Sequence, residues 1–183
     1  MKKVLKVIGV IIGAFIAFVL IAGLFVSKDF HYETSIAINA PIEKVWEQVS
    51  NLNNHANWSP WEKKDPNMVK TFTGTPGAVG SVMSWKGNKD VGVGSQTITS
   101  LTPMTDVQTL MKFKEPFETE STAFFKLLQG KDGVQITWGF DSKYPYPFNV
   151  SQLLFDMKKM MDKDFVPGLQ KLKAVCETPS SAN

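Results

Sequence analysis

Histidine, cysteine and acidic side chains are the residues best suited to catalysis or metal binding, and in this sequence they are scattered. His31 and His55 are the only histidines and Cys176 is the only cysteine, so none has a neighbour at metal-ligand spacing. His55 precedes Ser59 by four residues and Glu62 by seven, but no nucleophile elbow supports a Ser/His/acid triad. We therefore predict no metal, no cofactor and no internal disulfide. We expect His55 to be a surface histidine in a polar turn.

The remaining chemically suggestive residues form no complete site. Glu62 and Asp141 adjoin predicted cavity walls, and either carboxyl group would serve as general acid or base if burial moved its pKa toward neutrality. Solvent exposure of both is the favoured interpretation, so the catalytic residues are unknown. Gly92-Val93-Gly94 is not a phosphate loop, because neither a helix start nor Lys-Ser/Thr follows it. These glycines indicate a tight turn or a bulge.

The charge composition argues against nucleic acid as a partner. All 20 basic residues are lysines, so the chain lacks the planar guanidinium that binds phosphate in a bidentate way. Lys2, Lys3 and Lys6 precede every acidic residue, and the other 17 lysines balance 17 acidic residues. With no net charge after residue 6, the chain lacks the excess of positive charge that is typical of proteins that bind DNA or RNA.

The N-terminal stretch has the length and composition of a membrane anchor. Val7 to Val26 is a run of 20 residues without a charged side chain, and at about 1.5 Å per helical residue it matches a hydrocarbon core of roughly 30 Å. A cleaved signal peptide has a shorter apolar region, of about 7–15 residues, so an uncleaved anchor is favoured. The lysines before the run are expected to stay in the cytoplasm. We predict a single-pass protein of the inner (plasma) membrane with its domain on the extracytoplasmic side.

Small residues recur along this predicted span. Gly9, Gly13 and Ala17 lie four residues apart on one helical face, a spacing that lets two membrane helices approach closely and form a weak homodimer. Glycine is common in membrane helices for other reasons, and that interpretation is favoured.

After the anchor and linker (residues 1–29), the sequence predicts one α+β domain over residues 30–177 and a disordered tail at 178–183. Tyr32–Ile38 alternates as a strand, Pro41 opens a short amphipathic helix, and Asn51–Asn54 ends it. Two prolines make 57–66 an irregular connection or one short helical turn. An antiparallel meander then follows, with strands expected from Val69, at Val82–Trp85, Gln96–Leu101, Val107–Phe113, Thr122–Leu128 and Val134–Phe140.

Phe148–Cys176 reads as one long amphipathic helix. Apolar residues recur at intervals of three and four, and the opposite face is rich in lysine. We expect a kink or a break at Pro167, which removes a backbone donor. Cys176 ends the apolar stripe and is expected to act as a small hydrophobe.

This order of elements, with several local motifs, resembles the SRPBCC superfamily of START-like and birch-pollen-allergen-like proteins, in its polyketide cyclase/dehydrase branch. The motifs are Ala40-Pro41-Ile42-Glu43-Lys44-Val45-Trp46, the stretch from Trp58 to Met68, Trp85-Lys86-Gly87-Asn88, Gly92-Val93-Gly94 and the stretch from Gly168 to Lys173. The resemblance covers about Glu33 to Glu177. It implies a helix-grip fold, in which a curved antiparallel sheet wraps around a long C-terminal helix, here preceded by one transmembrane helix.

The resemblance also implies an elongated cavity between sheet and helix, whereas the residues alone favour a packed core. Met157 and Met161 on the helix and inward-facing Trp85 and Trp138 suit either. The residues expected to line the cavity are Trp58, Trp61, Trp85, Met111, Phe113, Trp138, Phe140, Met157, Met161 and Phe165. We further expect the Trp58–Trp61 loop to form the cavity mouth, with capping of the core as an almost equal alternative.

Two functions of different classes follow. The favoured one is a membrane-tethered binding domain that holds a lipid-like or other hydrophobic small molecule. The alternative is a cyclase- or hydrolase-type enzyme that acts on a hydrophobic substrate in the same cavity. A third interpretation is a packed domain that contacts other envelope proteins. No motif for a particular reaction is present, so the enzyme question stays open.

Overall fold

The computed structural model describes residues 1–115 and 118–179. The helices are α1 (Lys2–Phe25), α2 (Ile42–Ser50), α3 (Trp61–Lys64), α4 (Ser151–Leu154) and α5 (Met157–Glu177), with 3-10 turns at Leu52–Asn57 and Phe148–Val150. The strands are β1 (Asp29–Ile38), β2 (Val69–Thr73), β3 (Val82–Lys86), β4 (Val93–Thr102), β5 (Asp106–Glu115), β6 (Thr119–Gly130) and β7 (Gly133–Lys143). The predicted division at residues 29 and 177 stays a prediction, and residues 180–183 of the predicted tail lie outside the described residues.

Internal contacts divide the chain into two units. The first unit holds Met1–Phe30 and Lys143–Met157, and the second holds His31–Ser142 and the chain from Lys158 onward. In the first unit, α1 is the one helix of the described chain that is long and apolar enough to cross a membrane. Almost all of its side chains are exposed, and an added Cβ at Gly9 or Gly13 meets no atom within 4 Å. This small-residue face is therefore open in the monomer, and pairing of two spans stays a prediction.

The strands form one seven-stranded curved sheet in the order β1-β7-β6-β5-β4-β3-β2. Each neighbouring pair from β2–β3 to β6–β7 is antiparallel, which confirms the predicted meander. Side chains alternate between the two faces of β1 and β5. Tyr32 and Ile38 on β1 and Val107 and Thr109 on β5 are buried, whereas alternate residues such as Glu33, Ala37 and Gln108 are exposed.

The helix α2 begins directly after Pro41, as predicted, because a proline ring fixes the backbone angle of a helix start. Val45 and Val49 are fully buried on its inner face, and Glu43 stays exposed. Asn51 ends this helix and caps the next turn, where its side-chain Oδ1 accepts a hydrogen bond from the Asn53 amide at 3.1 Å. Asn51 is thus the only residue between the end of α2 at Ser50 and the start of the 3-10 turn at Leu52.

The helix α5 lies on the inner face of the sheet and confirms the helix-grip fold. Phe165, Leu169 and Leu172 are buried along it, and Cys176 ends the buried stripe as a small hydrophobe. Opposite Phe165, the Trp138 ring of β7 lies 4.1 Å away between centroids. Of the two outcomes predicted at Pro167, the break is wrong, since α5 continues through this residue, and the kink stays a prediction.

The prediction of one helix over Phe148–Cys176 is also wrong. A 3-10 turn and α4 precede α5, and Phe155 between them has extended angles, φ −125° and ψ 136°. The first part of this stretch belongs to the first unit, where Asn149 Nδ2 donates hydrogen bonds to the Gly23 and Val26 carbonyls, both at 2.8 Å. These bonds fix 148–150 against the end of α1, and Leu153 and Leu154 of α4 are exposed.

Candidate functional site

A cavity of about 210 Å³ lies inside the second unit, between the sheet, α5 and the segment around α3. Its lining residues are His55, Trp58, Ser59, Trp61, Glu62, Met68, Met83, Trp85, Val91, Gln96, Met111, Phe113, Ala123, Phe125, Trp138, Phe140, Met161, Asp164 and Phe165. Most of these side chains are aromatic or aliphatic. They come from the five strands β3 to β7, from α5, from the segment 55–68 that includes α3, and from Val91 in the turn between β3 and β4. The fold thus brings together nine of the ten residues predicted for a cavity wall.

Met157 is the exception. It is the first residue of α5, half-buried, and does not line this cavity. It belongs to the first unit, because the helix that was expected to carry it into the cavity is interrupted at Phe155. Met161, one turn further along α5, does line the cavity, together with Met68, Met83 and Met111. Four flexible thioethers therefore face the space, a composition typical of surfaces that adapt to different ligands.

Trp58 and Trp138 form the rigid part of the wall. Trp58 is only 1% exposed, and its indole Nε1 donates a hydrogen bond to the Gln48 carbonyl at 3.1 Å. Its ring meets Trp138 edge to face at 5.3 Å. Behind Trp138, an added Cβ at Gly168 would lie 2.8 Å from the indole, so glycine is needed there for helix and ring to pack. The buried donor of Trp58 is satisfied, as a core indole requires.

The mouth hypothesis therefore fails for Trp58. The 3-10 turn at Leu52–Asn57 folds this residue inward, with its amide bonded to the His55 carbonyl at 3.2 Å. Trp61 is different: it starts α3 directly after Pro60, is half-buried, and meets Trp138 and Phe165 edge to face at 5.8 and 6.2 Å. Of the two indoles, Trp61 alone keeps a partly open position at the cavity.

Another aromatic pair closes the cavity on the sheet side. Trp85 of β3 meets Phe113 of β5 at 5.8 Å, and both rings span the intervening strand β4. At this crossing an added Cβ on Gly94 would lie 2.6 Å from the Trp85 ring and 2.5 Å from the Lys112 carbonyl. Gly94 is therefore required for the Trp85 ring to pack closely against β4 in the cavity wall. Gly92, with φ 72°, has the left-handed backbone angle that the turn predicted from the sequence needs.

Sequence reasoning missed several lining residues, namely His55, Ser59, Met68, Met83, Val91, Gln96, Ala123, Phe125 and Asp164, and His55 departs most from its predicted role. The prediction of a surface histidine is wrong: His55 is buried, and its ring lies 4.9 Å from Trp58 and 6.0 Å from Phe125. Its Nε2 donates a hydrogen bond to the Val49 carbonyl at 3.1 Å, which fixes the proton on this nitrogen. Burial lowers the pKa of His55 to about 4, an effect that the Val49 carbonyl partly opposes. The imidazole is thus neutral at pH 7.

The other polar groups of the wall are held by neighbours. Gln96 Nε2 donates to Thr109 Oγ1 at 3.1 Å, and both side chains are buried within the sheet. Glu62 accepts from Lys70 Nζ at 2.6 Å, so this carboxylate is paired at the cavity. Asp164 of α5 is paired in the same way, with Lys64 Nζ at 2.6 Å. None of these groups is arranged as a nucleophile with its base.

Asp141, the other acid considered for catalysis, does not line the cavity. Its Oδ1 lies 2.6 Å from His31 Nδ1, and both side chains are about half exposed. Over residues 1–115 and 118–179, no group of three or more His, Cys, Asp or Glu side chains is arranged to hold a metal ion. The arrangement in the cavity thus offers apolar contact with a few polar groups, which suits binding.

Comparison with known proteins supports the same fold. The family model described as polyketide cyclase / dehydrase and lipid transport matches residues 29–177. Protein CV1439 from Chromobacterium violaceum superimposes with a TM-score of 0.58 at 13% identity, over 83% of this chain and 99% of that one. Major latex-like protein 151 from Panax ginseng gives 0.57 at 15% identity, over 82% and 99% of the two chains.

A third structure is larger than this chain. The di-domain ARO/CYC StfQ from the steffimycin biosynthetic pathway matches with a TM-score of 0.58 at 10% identity, over 85% of this chain and 52% of StfQ. At such identities the likeness shows the fold alone. No curated protein sequence matches this chain. The match of the family model over most of the chain, on a seven-stranded sheet gripping α5, shows that the protein belongs to the polyketide cyclase/dehydrase and lipid transport family of the SRPBCC superfamily.

Proposed function

We propose that this protein is a membrane-anchored binding protein for a small hydrophobic molecule, which it holds in the cavity of its helix-grip domain. The observation that carries the proposal is the cavity of about 210 Å³ with its wall of indole, phenyl and thioether groups. A space of this size exceeds the roughly 150 Å³ apolar cavity that admits benzene, and it is smaller than the 300–1,000 Å³ of pockets for drug-sized ligands. A ligand of about two fused rings or a short acyl chain fits this range, and the methionines allow the wall to adapt.

Filling the cavity from its wall is expected to weaken binding at least tenfold. Ala123 is a small buried residue of β6 that faces the space, so Ala123→Leu places three further carbons where the ligand would lie. The measurement is isothermal titration calorimetry of 2-naphthol, a two-ring probe, into the full chain held in lipid nanodiscs, with empty nanodiscs as the blank. A tenfold loss corresponds to about 1.4 kcal/mol.

The matched control is Ala37→Leu, the same change at an exposed alanine on strand β1. It is expected to bind 2-naphthol as the parent does, and circular dichroism verifies that both variants keep their strand content. Heat no larger than the blank for the parent, or equal affinities for the parent and Ala123→Leu, would overturn the binding proposal.

The proposed anchor is α1, and the proposed location is the inner (plasma) membrane with the domain outside the cytoplasm. Support comes from the exposed apolar surface of α1 and from the lysines at positions 2, 3 and 6. Alkaline phosphatase fused after Glu177 in a bacterial host is expected to be active, because the enzyme needs the disulfides that form outside the cytoplasm. The activity is expected in the membrane fraction. An inactive fusion would reverse the orientation, and an active but soluble one would show that the anchor is cleaved.

A further inference from the structure

We infer that residues 144–155 form a second membrane-contacting element, which lies in the bilayer interface beside the outer end of α1. The inference rests on the membrane anchoring proposed above and adds to it a lipid-facing surface outside the spanning helix. The segment belongs to the same unit as α1 and contains the 3-10 turn Phe148–Val150 and the short helix α4.

Polar contacts tie this segment to the last turns of α1. Besides the two bonds from Asn149 to the Gly23 and Val26 carbonyls, the Tyr146 hydroxyl donates to the Leu20 carbonyl at 3.1 Å. The Gly23 backbone permits this approach, since an added Cβ would lie 3.0 Å from the Tyr146 ring. A helix end leaves its last carbonyls without partners, and in a bilayer no water is at hand to satisfy them. Asn149 supplies that missing donor, which suits a helix end that lies at or below the membrane surface.

The outer surface of the segment is apolar and open. Phe148 is 70% exposed, and Leu153, Leu154 and Phe155 are each 58% exposed or more. Residues 144–155 contain no charged side chain at all. Such a group of exposed large apolar side chains is rare on a soluble surface and marks an interaction site.

The position of the hydrogen bonds between this segment and α1 indicates that lipid covers the exposed apolar side chains. These bonds hold the segment at residues 20–26 of α1, the outer end of the predicted span Val7–Val26, where Leu24 and Phe25 are also exposed. Both groups of exposed apolar side chains therefore belong to this unit and to the same end of α1. Tyr146 has the amphipathic character of interfacial anchors, and short helices with apolar side chains insert into the boundary of headgroups and acyl chains.

Spin labelling of the full chain in vesicles of phosphatidylcholine and phosphatidylglycerol tests this assignment. Cys176→Ala removes the natural thiol, and labels are attached at Phe148→Cys or Leu154→Cys. Collision rates with oxygen, which concentrates in lipid, and with a water-soluble nickel chelate are then compared. We expect the ratio of oxygen to nickel collisions to be several-fold higher at both positions than at Leu128→Cys, an equally exposed leucine (68%) near Lys126, Lys131 and Asp132.

A label at Ile16→Cys in α1 separates this inference from the anchoring itself. A high ratio of oxygen to nickel collisions at Ile16 would show that α1 lies in lipid. If the ratios at Phe148 and Leu154 were then as low as at Leu128, the second element would be overturned and the anchor would stand. Low collision rates with both reagents at Phe148 and Leu154 would indicate a protein partner or a second copy, and would also overturn it. A low ratio of oxygen to nickel collisions at Ile16 would contradict the proposal that α1 is a membrane anchor, and this inference would fail with it.

Discussion

Replacing Trp58 with alanine is expected to lower the free energy of unfolding by about 3–5 kcal/mol. The indole is 1% exposed, meets the rings of His55, Phe125 and Trp138, and satisfies its own donor on Gln48. Truncation therefore leaves a void that rigid aromatic neighbours fill poorly. The loss is a large fraction of the 5–15 kcal/mol that a typical domain has. The measurement is chemical denaturation of the full chain in mild detergent, followed by far-ultraviolet circular dichroism.

Trp61→Ala is the matched control, because it removes the same side chain three residues later. Trp61 is only half-buried and meets its neighbours by two edge-to-face contacts, so we expect less than half of the loss seen for Trp58. Equal losses for the two variants, or a loss below about 1 kcal/mol for Trp58→Ala, would contradict the division of roles between a core indole and a partly open one.

The strands and the amphipathic C-terminal helix could be predicted from the sequence because their signals are local, whereas the grip of the sheet on that helix was implied by the family resemblance. Alternation along Val107, Thr109, Met111 and Phe113 places these side chains on one face of β5, and the structure has them there. Short turns between the strands, such as Gly130–Gly133, leave antiparallel pairing as the simplest connection, and β6 and β7 pair in that way. The fold class follows from such patterns without any long-range information.

The interruption of the C-terminal helix had no local signal. Leu153 and Leu154 continue the spacing of the helix stripe, and neither glycine nor proline marks Phe155. In the folded protein Asn149 is bonded to Gly23, 126 positions away in the chain, and the extended residue Phe155 separates α4 from α5. Conversely, Pro167 looked like a break but lies within a continuous helix. In both cases the folded chain departs from what local propensity indicates.

The burial of His55 was hidden for the same reason. The polar stretch Asn51–Asn57 is typical of a solvent-exposed turn, and composition alone gives no reason to bury one of its members. The Phe125 ring, which lies 6.0 Å from His55, belongs to β6, a strand that is distant in sequence and meets this turn only in the folded protein. A signal was nevertheless present, since Trp58 follows three residues later and a 3-10 turn brings such neighbours to one side.

Acidification is expected to destabilise the protein through His55. The pKa of this residue is about 4 in the folded protein against 6.5 for a free histidine, so the unfolded chain binds the proton more readily. The contribution of neutral His55 to stability is complete above pH 6.5, falls as the pH is lowered, and is lost below about pH 4. At about 1.4 kcal/mol for each pH unit, the loss attributable to this residue is on the order of 3 kcal/mol.

The measurement is the free energy of unfolding of the full chain in mild detergent at pH 7 and at pH 4.5, for the parent and for His55→Phe. The variant keeps an aromatic ring beside Trp58 but has no proton to gain, so its loss between the two pH values is expected to be about 2–3 kcal/mol smaller. All carboxyl groups are the same in the two proteins, so their contribution cancels in this difference. His31→Phe is the matched control, because it makes the same change at the other histidine of the chain, which is exposed and lies outside the cavity wall, and this variant is expected to follow the parent. If His55→Phe and the parent lose the same free energy on acidification, His55 is not held neutral at the cavity wall.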